Sequence, residues 1–161
     1  MESKYLPYQV NMKERSQNLR SKLKSIIEEK SMEELDSFVT KYIEELKRFN
    51  TLNDPADNKN GVPIHFACKE GEDDISKIRC LIYHGADINK SDRGGRSLIH
   101  MACTRNCINI VKYCITKNVD INLKNPVFGS TPLAIAVENG HLELSKYLLE
   151  NGADFLLVHN K

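Results

Sequence analysis

Three stretches of the chain carry one pattern: Val62-Pro63-Ile64-His65-Phe66-Ala67-Cys68, Ser97-Leu98-Ile99-His100-Met101-Ala102-Cys103 and Thr131-Pro132-Leu133-Ala134-Ile135-Ala136-Val137, with starts 35 and 34 residues apart. Each runs into an amphipathic stretch and then a closing turn, His84-Gly85-Ala86-Asp87-Ile88-Asn89, Asn118-Val119-Asp120-Ile121-Asn122 and Asn151-Gly152-Ala153-Asp154. A turn plus two short helices recurring at such a period predicts an all-α repeat fold, a helical solenoid in which each unit buries its apolar face on its neighbours.

The residues within one unit have readable roles. Pro63 and Pro132 suit the first helical turn, where an N–H has no intrahelical partner. Ala67, Ala102 and Ala136 are small, as close approach of neighbouring helix pairs requires. Ile78, Leu81 and Ile82, then Ile110, Val111, Cys114 and Ile115, then Leu144, Tyr147, Leu148 and Leu149 recur at helical spacing and form core stripes. Gly85 and Gly152 end those helices in a left-handed turn, and Asn118 is the next best residue for that conformation.

The pattern Asp-x-x-Gly-x-Thr-Pro-Leu-His-x-Ala-Ala, then Gly-His, an apolar helix and Gly-Ala-Asp-x-Asn, resembles the ankyrin repeat over residues 57 to 155. The resemblance implies an ankyrin-type solenoid of stacked antiparallel helix pairs with β-hairpin fingers, its repeats falling at 57–91, 92–124 and 125–161. The departures are local. Val62 replaces the Thr, Leu98 the Pro, Asn106-Cys107 the Gly-His and Ala134 the His, while Phe128 is an extra residue in the finger Asn125 to Ser130. Gly71 to Gly85 spans 14 residues against 12 from Gly140 to Gly152, and Asp73-Asp74 lies in the longer turn.

Upstream, residues 16–30 place Leu19, Leu23, Ile26 and Ile27 at helical spacing, and Ser31-Met32-Glu33-Glu34 reads as a capping box opening a second helix. Residues 16–56 therefore form a divergent capping helix pair, and 1–15 a flexible tail. At the other end, the apolar run Phe155-Leu156-Leu157-Val158 and the finger-like His159-Asn160-Lys161 sit where a terminal repeat needs a polar face. The expectation is a chain that continues into a truncated further repeat of a larger protein.

Composition narrows the function classes. The 161 residues carry 23 Lys plus Arg against 22 Asp plus Glu, so no global field draws nucleic acid or a membrane surface. No run is apolar enough to span a bilayer, and the start lacks a secretory signal. Five cysteines without a C-x-x-C pair fit neither a disulfide framework nor usual zinc spacing, which points to a cytoplasmic or nuclear setting. His65 with Cys68, and His100 with Cys103, lie three apart but occupy scaffold positions of the repeat, where Cys is a small apolar filler. Cys103, Cys107 and His100 fall one ligand short of a zinc site. No catalytic residue, metal, cofactor or small-molecule substrate is expected.

What remains is binding, which the ankyrin resemblance assigns to finger tips and the concave faces of the first helices. There the chain places Lys59, Phe66, Lys69 and Glu70, then Arg93, Arg96, Met101, Thr104 and Arg105, then Val127, Phe128, Ser130 and Glu138. Net charge by repeat is −2 over 57–87, +5 over 88–119 and −2 over 120–161. Arg offers planar, bidentate donors, so Arg93, Arg96 and Arg105 lead the candidates for an acidic extended or helical partner segment with an apolar anchor against Phe128. The expected function is a protein-binding recruitment or scaffold module. The alternatives are a stand-alone inhibitor sequestering a regulatory protein and, last, nucleic-acid binding through the basic repeat. Leu81 to Asp87-Ile88-Asn89 is also similar to the context in which ankyrin asparagines are hydroxylated, which marks Asn89.

Overall fold

The computed structural model describes residues 6–54, 61–68 and 73–158, the side chains of 6–11 and 158 excepted. Its helices are α1 (Leu6–Glu29), α2 (Met32–Arg48), α3 (Pro63–Phe66), α4 (Ser76–Tyr83), α5 (Leu98–Thr104), α6 (Ile108–Thr116), α7 (Pro132–Glu138) and α8 (Leu142–Glu150), followed by a 3-10 turn at Phe155–Val158. Within pairs, α1 packs on α2, α3 on α4, α5 on α6 and α7 on α8. Between pairs, the first helices form a row in which α1 meets α3, α3 meets α5, α5 meets α7, and α7 meets the 3-10 turn. The core runs the length of this row, through Leu23, Ile27, Leu35, Ile64, Leu81, Leu98, Ile110, Leu133 and Leu144.

Local chemistry sets the helix ends. Ser31 opens α2 with both halves of a capping box: its Oγ accepts from Glu34 N–H at 3.3 Å, and Glu34 Oε2 accepts from Ser31 N–H at 3.2 Å. Glu33 and Glu34 in the first turn and Lys47 and Arg48 in the last complement the helix dipole. Thr131 Oγ1 caps α7 by accepting from Ala134 N–H at 3.2 Å, ahead of Pro132 at the first helical position.

All four second helices close alike. Thr51 N–H donates to Leu46 O at 2.8 Å, Ala86 to Leu81 at 2.9 Å, Val119 to Cys114 at 3.1 Å and Ala153 to Leu148 at 3.0 Å. The residue before each donor has positive φ, namely Asn50 (49°), Gly85 (105°), Asn118 (58°) and Gly152 (94°). In the N-terminal pair, Asn53 also bridges forward, accepting from Asp87 N–H at 2.7 Å and donating to Gly85 O at 3.2 Å. Asn122 makes the matching bridge to Asp154 N–H (2.8 Å) and Gly152 O (3.5 Å).

Two expectations differ from the structure. Helix α1 begins at Leu6, inside the segment 1–15 read as a flexible tail. Pro7 falls in the first turn, where a missing N–H leaves no helical bond unmade, and Arg15 pins the helix to α2 through a two-pronged pair with Glu45 at 2.8 and 2.7 Å. The fingers, expected as β-hairpins, contain no strand among the described residues. They are turns closed by Asp92 N–H to Arg96 O (2.9 Å) and Asn125 N–H to Ser130 O (2.9 Å). Adjacent fingers are tied where Asn125 Nδ2 donates to Gly94 O at 3.0 Å, and a Cβ on Gly95 would fall 2.8 Å from the Pro126 ring.

Candidate functional site

The fingers and the exposed ends of the first helices hold most of the described candidates. At the second finger, Asn125 Oδ1 accepts from Val127 N–H (2.7 Å) and Phe128 N–H (3.1 Å), so the turn is stiff while both apolar side chains face solvent, 58% and 67% exposed. Ser130 is half-buried at its base, and Glu138 is exposed at the end of α7. Arg93 is exposed at the first finger. Thr104 is exposed at the end of α5, its hydroxyl donating to His100 O at 2.9 Å.

Several candidates are engaged inside the scaffold. Arg96, itself exposed, is paired within its own finger: its Nε and Nη2 donate to Asp92 Oδ2 at 2.9 and 2.8 Å, and its N–H to Asp92 Oδ1 at 2.9 Å. That clamp satisfies a buried carboxylate and shapes the finger. Arg105 is half-buried and donates to His65 O at 3.3 Å. Met101 is buried, 8% exposed, because it stacks between repeats; Phe66 is half-buried, with Lys24 Nζ 4.6 Å from its ring centre. The basic side chains of the middle repeat are spread over finger, first helix and second helix, where Lys112 and Lys117 lie over the Tyr147 and Tyr113 rings. Lys59, Lys69 and Glu70 lie outside the described residues. Asn89 is exposed, its N–H donating to Asp87 Oδ1 at 2.8 Å.

The histidines of the pattern form a ladder to the following finger, His65 Nε2 at 3.1 Å from Lys90 O and His100 Nε2 at 2.9 Å from Leu123 O. A carbonyl accepts only from N–H, so Nε2 carries the proton and Nδ1 is the acceptor. For His100 that acceptor meets Ser97, whose Oγ is 2.9 Å and whose N is 3.2 Å away. His65 has Val62 in the equivalent place, and its Nδ1 is buried without a partner among the described residues. Burial holds His65 down to about 4 and shifts His100 in the same direction. None of the five cysteines forms a disulfide, and all are buried. Burial pushes the Cys114 thiol up to about 12, and Cys103 rises for the same reason. Cys68 rises by hydrogen bonding to Cys107 and by burial. The imidazoles of His65 and His100, committed to carbonyls, and the thiols of Cys68, Cys103 and Cys114 serve the scaffold.

Two features have no counterpart in the sequence reading. Asp73, in the lengthened turn of the first repeat, caps the next repeat's α6: its oxygens accept from Asn109 N–H at 2.8 and 3.0 Å and from Ile110 N–H at 3.1 Å. Asp36 on α2 meets Cys80 on α4 and His84 at its C-cap, with Oδ1 at 3.6 Å from Cys80 Sγ and 3.0 Å from His84 Nε2. Burial, then the neighbouring Asp36 charge, raises the Cys80 thiol to about 11, and the His84 hydrogen bond lowers Asp36. The Cys-x-x-x-His spacing at one helix end was the available signal, but Asp36 lies more than 40 residues upstream.

The family model for ankyrin repeats (three copies) matches residues 31–125 and 64–158. Together with the stacked helix pairs, this defines an ankyrin-repeat solenoid, and the chain belongs to the ankyrin-repeat family. It is 34% identical over 93 residues to the palmitoyltransferase AKR1 of Lachancea kluyveri, covering 56% of this chain and 12% of that protein. It is 31% identical over 106 residues to the human transient receptor potential cation channel subfamily A member 1, covering 65% and 9%. Against the Bos taurus SMC5-SMC6 complex localization factor protein 1 it is 34% identical over 99 residues, covering 62% and 9%. The chain thus spans about a tenth of the length of these relatives. No described helix is long and apolar enough to cross a membrane. Ankyrin repeats indicate a protein-interaction module.

Proposed function

We propose that the chain is a recruitment or scaffold module that binds a partner protein's segment through its finger tips and the exposed ends of its first helices, without chemistry of its own. The observation that carries this reading is the second finger, where a hydrogen-bonded turn holds Val127 and Phe128 out in solvent. A turn whose backbone is held before binding loses little backbone entropy on contact, which suits the aromatic side chain it carries to an anchor's role. Arg93 on the preceding finger supplies the charge, and the two fingers are joined through Asn125 and Gly94. The complementary partner is an acidic extended or helical segment carrying one apolar anchor. Relatives as different as a palmitoyltransferase, a channel and a complex localization factor, each matched over a small fraction of its length, accord with a module built into larger proteins. Affinity capture from native extract with the intact chain and with an R93E/F128A pair tests the reading: a protein retained by the first and lost by the second supports it, and equal retention refutes it. Asn89 is an independent candidate for oxygen-dependent hydroxylation, checked by the mass of its peptide from native cells.

A further inference from the structure

We infer that Asp36, Cys80 and His84 form a divalent transition-metal site, with zinc the fitting ion, which staples the N-terminal helix pair to the first repeat. Cys80 on α4 and His84 at that helix's C-cap stand one turn apart, and Asp36 reaches them from α2, which packs against α4. One ligand atom from each residue lies within 4.8 Å of the other two. Tetrahedral zinc, with Zn–S of about 2.3 Å and Zn–N or Zn–O of about 2.0–2.2 Å, places its ligand atoms roughly 3.3–3.6 Å apart. The observed Sγ to Oδ1 distance of 3.6 Å matches that spacing, and the Nε2 to Oδ1 distance of 3.0 Å needs to open only slightly. Thiolate, imidazole and carboxylate are a zinc donor set, whereas calcium and magnesium take oxygen ligands.

The three groups already cluster on their protons: the Cys80 S–H and the His84 ring N–H can both donate to Asp36. Metal binding replaces those two hydrogen bonds by three metal–ligand bonds. The thiol proton leaves to solvent, and the His84 proton moves from Nε2 to Nδ1, freeing the Nε2 lone pair. Access exists, because the Asp36 side chain is 52% exposed and Asp36 and Cys80 line a cavity of about 550 Å³ with Met32, Arg79 and Tyr83. A water completes the fourth position, as in zinc sites with three protein ligands. Because the ligands come from two helix pairs, the ion holds the cap on the stack and stabilises the folded chain by mass action.

The test is titration of the 161-residue chain with Co(II), whose thiolate charge-transfer and tetrahedral bands report the coordination, followed by displacement with Zn(II). The expected result is one equivalent bound, the sulfur band abolished in C80S, and affinity lost in H84A and D36N by more than the roughly 10–100-fold that removal of an outer-shell partner costs. Zn(II) should also raise the melting temperature of the parent chain and leave that of H84A unmoved. D36N carries the test if C80S or H84A fails to fold, since the Asp36 side chain is half exposed on α2. Absence of a sulfur band from the parent chain, or undiminished binding by H84A and D36N, overturns the assignment.

Discussion

Ser97 Oγ lies 2.9 Å from His100 Nδ1, whereas the corresponding His65 Nδ1, with Val62 at the position equivalent to Ser97, has no hydrogen-bond partner among the described residues. The two imidazoles make the same bond to the next finger and differ in whether their second nitrogen is satisfied. Val62→Thr restores a donor at almost constant volume and caps α3, so it should stabilise the chain by about 1 kcal/mol, or ~2–4 °C in melting temperature. Thermal unfolding of the variant checks this; a fall in melting temperature would count against a vacant acceptor at His65.

The same histidine makes stability pH-dependent. Its pKa is held at about 4 in the folded chain, against an ordinary value of 6.5. The unfolded chain therefore binds the extra proton first as pH falls, so stability is intact above about 6.5 and is lost progressively down to about 4. The shift corresponds to about 3 kcal/mol at most, and His100 adds in the same direction. Urea midpoints at pH 7 and pH 5 measure it. The difference should shrink in His65→Gln.

Asp73 accepts from two backbone N–H groups, those of Asn109 and Ile110, at the start of α6, a helix whose own N-cap residue, Cys107, has no side-chain cap bond. Asp73→Ala should cost about 1 kcal/mol, the usual loss for a missing cap, with Asp73→Asn intermediate because one acceptor oxygen survives. Denaturant unfolding distinguishes the three chains, and an unchanged midpoint for Asp73→Ala would falsify the cap.

Arg93 and Arg96 separate structure from binding. Truncating Arg96 leaves the buried Asp92 carboxylate short of two charged donors, which costs about 1–3 kcal/mol, while Arg93→Ala stays within about 0.5 kcal/mol as an exposed change does. Equal melting temperatures for the two variants would show that the Asp92 clamp contributes nothing.

The scaffold was legible in the sequence because its rules are local. Positive φ at Gly85, Asn118 and Gly152, the capping box at Ser31 and the buried alanines at 67, 102 and 136 all follow from residues within a few positions of one another. Charge counted by repeat treats Arg96 and Asp92 as separate contributions, although geometry joins them. The repeat pattern likewise leaves Met101 available to a partner, but stacking closes over it. Contacts across repeats were not legible: Asp73 reaches Asn109 over 36 residues, and Asp36 meets Cys80 over 44 and His84 over 48. The start of α1 escaped for a related reason, since the Arg15 to Glu45 pair that anchors it spans 30 residues.

Binding itself is measured by calorimetric titration of a peptide from the captured partner into the intact chain, R93E and F128A. Each variant should keep its melting temperature and lose at least about tenfold in affinity, the 1.4 kcal/mol typical of an interface anchor, with the R93E loss shrinking as salt rises. If both bind the peptide as tightly as the parent chain, the fingers are not the binding surface.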